Sequence, residues 1–320
     1  MSAKSTVHGK AFEYAVLQAL HEVLEHQRKT IVQENSAFAV AKKNFESIEP
    51  ELRGEFDRAA AAGIAMVIAR EPRLEHSADS TDALQIALQS DQRGQLGDVR
   101  DIVISRPNIA WEIGISAKNN HKAVKSSRLA HELDFGQSWF GVPCSQEFRS
   151  AVRSVFQGLH EHAGNVRWRD LGELNIDKFA IYRDVLGCFR TELLRMNAEL
   201  GAVIPSRLVR YLIGNFDFYK IVKLSQRVHV QPFNFDGTLG QRSPIRKPSP
   251  EASTLRLPTR IYDIHYVDET SNTTLIVACD AGWQISFRIH NASEFVEPSL
   301  KFDVMLAGQP PELITQEAPW

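Results

Sequence analysis

Between Gly97 and Arg128 the chain reads GDVRDIVISRPNIAWEIGISAKNNHKAVKSSR, and its polar residues recur at intervals of two. Glu112, Gly114, Ser116 and Lys118 alternate with the apolar Ile113, Ile115 and Ala117. That alternation predicts a strand with one polar face and one core face. Val99–Ser105 reads as its partner, joined to it through the turn residues Arg106-Pro107-Asn108. A carboxylate and a lysine on one sheet face, opposite an aspartate on the paired strand, are the parts for metal-assisted phosphodiester hydrolysis. Carboxylate oxygens suit Mg²⁺. The ion stabilises charge at phosphorus and acidifies the attacking water, while the lysine orients that water or holds a nonbridging oxygen.

Which aspartate faces Lys118 is a question of parity. Directly opposed residues of an antiparallel pair share a face. An even pairing parity across the turn brings Asp98 to the Glu112 face, and an odd parity brings Asp101. Asp101 is favoured because it leads directly into the Ile-Val-Ile run, whereas Asp98 follows a glycine near the start of the strand.

A Glu and a Lys on one strand face describe a solvated ion-pairing surface just as well, worth about 0–1 kcal/mol. Three neighbours shift the balance. The segment KNNHKAVKSSRLAH holds Lys118, Lys122, Lys125 and Arg128 and no acid. Read as a helix over Asn119–Leu133, it presents a basic face suited to a DNA backbone. Asn119, Asn120 and His121 would then stand at that helix's N-terminus, within reach of phosphate oxygens. Glu13, in GKAFEYAVLQAL, lies on a helix that could pack beside the sheet.

The elements that must position these groups are read from periodicity. Gly9–Arg28 and Glu51–Arg70 carry helical patterns, and Thr81–Gln89 reads as a shorter helix, so the first ninety residues are expected to be helical. DFGQSWFGVP reads as a loop and Ser145–Leu200 as several helices. From Gln231 the sequence QPFNFDGTLGQRSPIRKPSP turns basic and rich in Pro and Gly, as a linker would be. TRIYDIHYV, TTLIVACD, WQISFRI and SLKFDVML then alternate as strands. The expected division is a helical and α/β catalytic core over 1–230, a linker over 231–258 and a β-rich part over 259–320, read as the DNA-recognition part.

Composition sets the outer bounds. The 320 residues are 43% hydrophobic and 24% charged with a net charge of −2, which excludes a disordered tail, a coiled coil, a collagen and a disulfide-stapled module. No apolar run approaches the roughly 18 residues of a spanning helix, so no membrane association is expected. The N-terminus carries no signal-peptide pattern. Cys144, Cys188 and Cys279 form no CxxC pair, which fits a reduced cytoplasm and argues against structural zinc. Pro143-Cys144 invites a cytosine methyltransferase reading, with the thiolate as nucleophile. That chemistry also requires a glycine-rich cofactor loop after an early strand, and the sequence has none, so Cys144 is read as a packed residue.

Taken together, GKAFEYA, GDVRDIVI, WEIGISAKNNHKAVKSSRL, DFGQSWFG and SFRIHNASEFVEPSLKFDV resemble the HaeIII-type restriction endonucleases of the PD-(D/E)XK nuclease superfamily. The resemblance implies an α/β fold with a mixed central sheet flanked by helices and one or two Mg²⁺ ions. It implies cleavage of double-stranded DNA at GGCC, between G and C, to blunt ends, and a cognate DNA methyltransferase in the same system. A two-fold symmetric target suits a homodimer, a monomer nicking each strand in turn being the alternative. Asp101 resembles the family's metal-binding Asp, Lys118 its motif lysine and Glu13 the helix-borne Glu near the metal. The chain departs from the usual pattern two residues before the lysine, where Ser116 replaces an acid. Glu112 lies six residues before Lys118, about 20 Å away at strand rise, too far to share one metal shell. Glu132, on the expected helix, resembles the migrated acid of nucleases with a Ser-x-Lys motif. Guanine is most often read by Arg or Lys. The expected base readers are Arg242, Arg246 and Lys247 in the linker, and Arg288, His290 and Asn291 in a late strand. A non-specific repair nuclease of the same superfamily and a non-catalytic DNA-binding protein are the competing readings.

Overall fold

The computed structural model describes residues 3–75, 82–90, 97–120, 125–130, 132–267, 270 and 273–320. The described elements are, in chain order, α1 (Ala3–Glu25), β1 (Thr30–Gln33), α2 (Ser36–Ser47), α3 (Pro50–Arg70), β2 (Leu84–Leu88), β3 (Ile102–Arg106), β4 (Trp111–Asn119) and β5 (Lys125–Ala130). They continue with α4 (Phe135–Phe140), α5 (Gln146–His160), α6 (Lys178–Leu200), α7 (Val203–Ile213), β6 (Phe218–Lys223) and β7 (Arg227–Phe233). The last are β8 (Ile261–Tyr266), β9 (Thr274–Cys279), β10 (Gln284–Asn291), β11 (Ser299–Gly308) and β12 (Gln316–Pro319). The fold class is the expected α/β, with a mixed sheet flanked by helices.

Contacts divide the chain into two units: 1–122 with 214–255 and 311–320, and 123–213 with 256–310. This differs from the expected division at 230 and 258, because each unit is assembled from separated stretches.

The first unit is built on a seven-stranded sheet in the order β1-β2-β3-β4-β6-β7-β12. β1 runs parallel to β2 and β4 parallel to β6, and the other neighbours are antiparallel. α1 buries Phe12, Val16, Leu20 and Leu24 completely, four residues apart on one stripe. Each such side chain contributes about 1.5–3 kcal/mol. α3 packs on β6 and β7, and Gly63 permits that approach: a Cβ there would lie 2.9 Å from Ile221 Cγ2. Both helices join Ile113, Ile115, Ala117 and Ile221 in one core. The alternate residues of β4 therefore point to the opposite sheet face.

The expected hairpin is β3 and β4, with a short 3-10 turn at Pro107–Ile109 between them. The register opposes Val103 to Gly114 and Ser105 to Glu112, the odd parity that puts Asp101 on the Lys118 face.

Several local expectations are corrected. Residues 84–88 form a strand rather than a helix: LQIAL alternates buried and half-buried and lies between β1 and β3. Short apolar runs do not distinguish the two states, and neighbouring strands decided this one. β1 and α2 interrupt the expected helical block, α2 being capped by Asn35, whose Oδ1 accepts from Phe38 N at 2.9 Å. Within 119–133, Asn119 ends β4 and Lys125–Ala130 form β5, and none of the described residues is helical. DFGQSWFGVP holds α4, capped by Asp134 through Gln137 N at 2.9 Å and ended by Gly141 in the left-handed region.

Residues 231–255 of the expected linker are instead packed into the first unit. Gln231–Phe233 belong to β7, and the Asp217 carboxylate accepts hydrogen bonds from Phe235 N, Asp236 N and Thr238 N at 2.6–3.0 Å. Arg246 donates to Ala69 O and Ile68 O at 3.0 and 2.6 Å, adding to the backbone bonds those carbonyls at the end of α3 accept from Ser249 N and Glu71 N.

The second unit holds an antiparallel five-stranded sheet, β5-β11-β10-β9-β8. Its core face carries Leu129, Phe287, Ile289, Phe302 and Val304, all within 1% exposure. Trp139 is a core anchor there, stacked on Tyr211 at 4.8 Å and close to Phe189 and Phe287. Phe140 is buried beside it. Among the described residues no helix is long and apolar enough to cross a membrane.

Candidate active site

Asp101 stands just before β3, and its N–H donates to Ile115 O at 2.8 Å, which extends the β3–β4 pairing and sets Asp101 opposite Ser116. Three donors converge on its Oδ2: Ser116 Oγ at 3.1 Å, Ala117 N at 2.8 Å and Lys118 Nζ at 3.0 Å. Ser116, in the place where an acid was expected, therefore holds Asp101 in position. Among the described residues every hydrogen bond to Asp101 falls on Oδ2, which leaves Oδ1 able to ligate a cation. Burial works to lower the Lys118 ammonium pKa, but the Asp101 and Glu13 charges overcome it and hold that pKa above the ordinary lysine value.

α1 packs against β4 and brings Glu13 to this place. Glu13 is 7% exposed, and its Oε2 accepts from Lys10 Nζ at 3.0 Å. Burial and then the Asp101 charge push its carboxyl up to about 8, against the opposing pull of Lys10 and Lys118. Lys10 lies inside the GKAFEYA block, and no role was read for it from sequence.

A second lysine was missed. Lys220 on β6 is in direct register with Ser116 and is 5% exposed. Residues in register on neighbouring strands share a face, so Lys220 faces the same side as Asp101, Ser116 and Lys118. FYKIVK holds two lysines, Lys220 and Lys223, and no spacing in the sequence marked Lys220; its burial on a strand buried at every position is visible only in the fold.

The other two acids of the motif are drawn elsewhere. Arg100 takes Asp98 through Nε at 2.7 Å and Nη2 at 2.8 Å, and Glu112 through Nη1 at 2.6 Å. Burial works to raise the Asp98 carboxyl, but the Arg100 and Gln89 hydrogen bonds hold it below the ordinary range. Asp98 and Glu112 thus form a structural ion-pair cluster around Arg100, not a shell around Lys118. This explains Gly114, because the Arg100 side chain lies over it and a Cβ there would stand 2.0 Å from Arg100 Cδ. Gly114→Ala should displace Arg100 and lower stability by about 1–3 kcal/mol, read as a drop in the urea midpoint. An unchanged midpoint would mean that Arg100 relocates without loss.

Other expected residues fall as follows. Asn119 ends β4, and Asn120 follows it with φ 53°, its N–H donating to Lys223 O at 2.8 Å. Both therefore lie at a strand end rather than a helix N-terminus. His121 and Lys122 lie outside the described residues. Lys125 and Arg128 belong to β5 of the second unit, and so the expected helical basic face is not formed. Glu132 is exposed just beyond β5 and is not on a helix.

On the second sheet Arg128, Lys301 and His290 lie in one row across β5, β11 and β10, with Arg288 two residues before His290 on the same face, paired to Asp303 at 2.9 Å. Lys301 was not read from the sequence, although it alternates with Phe302 and Val304 in SLKFDVML. Asn291 is committed to structure, accepting from Tyr182 OH at 3.1 Å and donating to Ser293 O at 2.6 Å. Arg246 is committed to α3, as described above. Cys144 is buried, its Sγ accepts from Gly136 N at 3.2 Å, and burial pushes its thiol far above the ordinary value. It is a packed residue, as read from the sequence.

The family model for the HaeIII restriction endonuclease matches residues 9–310. The type II restriction enzyme HaeIII of Haemophilus aegyptius is 38% identical over 323 residues, covering 100% of this chain and 99% of that protein. No solved structure matches.

Proposed function

The chain belongs to the HaeIII restriction endonuclease family, and from that premise we propose that Asp101, Glu13 and Lys118 form the cleavage site of a GGCC-specific enzyme. As a type II restriction endonuclease it hydrolyses phosphodiester bonds of double-stranded DNA in a site-specific manner. The finer reading is a cut between G and C to blunt ends, with Mg²⁺ as the metal. The observation that carries the site is the convergence of Lys118 Nζ and Ser116 Oγ on one oxygen of Asp101, with Glu13 brought in from α1.

Type II restriction enzymes generally use a divalent metal, and the donor set fits one. Two carboxylates each have one oxygen held by a lysine, Asp101 Oδ2 by Lys118 and Glu13 Oε2 by Lys10. Their other oxygens, Asp101 Oδ1 and Glu13 Oε1, are the ones that would ligate. Mg²⁺ is commonly held by one or two carboxylates with water and substrate phosphate filling the remaining positions, and the described residues contain no group of three or more ligating acids, His or Cys. When bound, the ion would neutralise charge at phosphorus and acidify a water. Lys118 would hold the scissile phosphate or the attacking water, and Ser116 and the Ala117 amide would keep Asp101 from turning away.

Arg128, Lys301, His290 and Arg288 form a basic group on the second unit, and we assign it to DNA contact. Lys122, Lys125, Asn119, Asn120 and His121 remain backbone-contact candidates from the sequence. The reading carries with it a cognate DNA methyltransferase, a homodimer matched to the symmetric site and a bacterial or archaeal cytoplasm. The test is digestion of two plasmids that differ in GGCC content, with and without Mg²⁺. Discrete blunt-ended fragments from the GGCC plasmid alone are expected. Equal smearing of both would replace this reading with a non-specific nuclease, and binding without cutting would replace it with a DNA-binding protein.

A further inference from the structure

Lys220 has no part in the site as read so far. It lies in direct parallel register with Ser116, whose partner on the other side is Asp101. Asp101, Ser116 and Lys220 thus form a row across β3, β4 and β6 on one sheet face, with Lys118 two residues further along the central strand. Strands lie about 4.8 Å apart, so the backbones of Asp101 and Lys220 are roughly 10 Å apart.

The two ends of that row differ in chemistry. One gathers Asp101, Glu13 and Lys118, which suit a cation and the entering water. The other presents an ammonium on a strand whose six residues are all buried. Lysine is almost never fully buried unless paired, and Lys220 lies on the face of Asp101 and Lys118, opposite the face on which α1 and α3 join the core, near enough to Lys118 to feel its charge. In-line displacement at phosphorus has an entering side and a departing side, and the row supplies both.

We propose that Lys220 is a catalytic residue whose ammonium donates a proton to the departing bridging oxygen of the scissile phosphodiester. The proposal rests on the nuclease reading and names a second group for the same reaction. The oxygen of water forms a bond to phosphorus, and the bond from phosphorus to the departing oxygen breaks with its electron pair on that oxygen. The proton on Lys220 Nζ passes to it. The attacking water's surplus proton goes to solvent, and Lys220 regains a proton from solvent before the next turnover. Burial, aided by the Lys118 charge, brings the Lys220 ammonium down to about 8, which makes it a readier donor near neutral pH than a solvated lysine.

The test uses Lys220→Met in the full chain, with single-turnover cleavage measured on two versions of one GGCC duplex. One has ordinary oxygen at the departing position and the other has sulfur, which leaves as a thiolate without needing a proton. The oxygen duplex should slow by about 10²–10⁴-fold and the sulfur duplex by no more than about tenfold. Both rates come from one preparation, so their ratio does not depend on the folded fraction. Equal slowing on both duplexes overturns the proposal, because a structural or purely electrostatic role would do that. Lys220→Arg keeps the charge but holds its proton too tightly, so it should show the same selective loss. Full rescue by arginine overturns proton donation. If the wild-type protein with Mg²⁺ cuts neither duplex, the nuclease reading itself falls, and this proposal with it.

Discussion

Lys118→Ala should reduce single-turnover cleavage by at least about 10²–10³-fold while leaving specific DNA binding measurable. The magnitude is that of a preorganised group lost from a site where charge develops, roughly 3–4 kcal/mol. The structure gives the reason for the split between rate and binding. Lys118 Nζ sits 3.0 Å from Asp101 Oδ2 inside the site, whereas the basic row of Arg128, Lys301 and His290 belongs to the other unit. Removing the amine leaves Asp101 held by Ser116 Oγ and Ala117 N, so the acid keeps its place and the loss belongs to the reacting phosphate. Cleavage would be followed on a labelled duplex, and binding by gel shift with Ca²⁺ in place of Mg²⁺. A variant that cuts at close to the wild-type rate would move the active site elsewhere.

The second large effect concerns Glu13. Its carboxyl is pushed up to about 8 in the folded protein by burial and the Asp101 charge, against an ordinary value of 4.5. A folded-state pKa raised above the unfolded one means that the folded chain binds the proton more tightly. The corresponding stability is fully present below about 4.5 and is lost as pH rises to about 8. Metal-free protein should therefore lose thermal stability across that window, and Glu13→Gln, which cannot ionise, should lose less of it. A divalent ion reverses the balance, because ligation requires the deprotonated acid and so becomes tighter as pH rises. Added Mg²⁺ should stabilise the wild type most at the alkaline end, and Glu13→Gln should blunt that gain and slow cleavage by about 10²-fold or more. Thermal unfolding at several pH values, with and without Mg²⁺, checks both halves. Coincident curves for wild type and Glu13→Gln would remove Glu13 from the metal site.

Much of the site was legible in advance because a strand's two-residue period is local. The alternation of Glu112, Gly114, Ser116 and Lys118 with Ile113, Ile115 and Ala117 announced a polar face, and the apolar run after Asp101 favoured that acid over Asp98. What alternation could not supply was the fate of each polar residue on its face. Glu112 shares the face of Lys118 yet is taken by Arg100, a residue with no motif of its own. Gly114 read as a gap in the pattern, and its purpose became visible only with the arginine lying over it. Lys220 was hidden for a similar reason: the two lysines of FYKIVK, three residues apart, carry no strand-spacing signal, and more than a hundred residues separate Lys220 from the strand it joins.

The segments misread as helix failed for another reason. LQIAL and the basic stretch after Lys118 are short, and their local preferences are compatible with either state; pairing with β1 and β3 in one case, and with β11 in the other, made them strands. Likewise the basic, Pro-rich stretch after Gln231 has the composition of a linker but folds onto the first unit through Asp217 and Arg246.

By its own residues the chain determined its family, the hairpin that bears Asp101 and Lys118, and the apolar stripes of α1 and α3, because each is written in contiguous patterns of side-chain period and type. Tertiary structure alone decided which acids meet Lys118, which are neutralised by Arg100, and that Lys220 joins the same face. Those outcomes depend on strand register and on side chains brought together from distant parts of the chain, and burial then shifts their protonation in ways that no local spacing encodes.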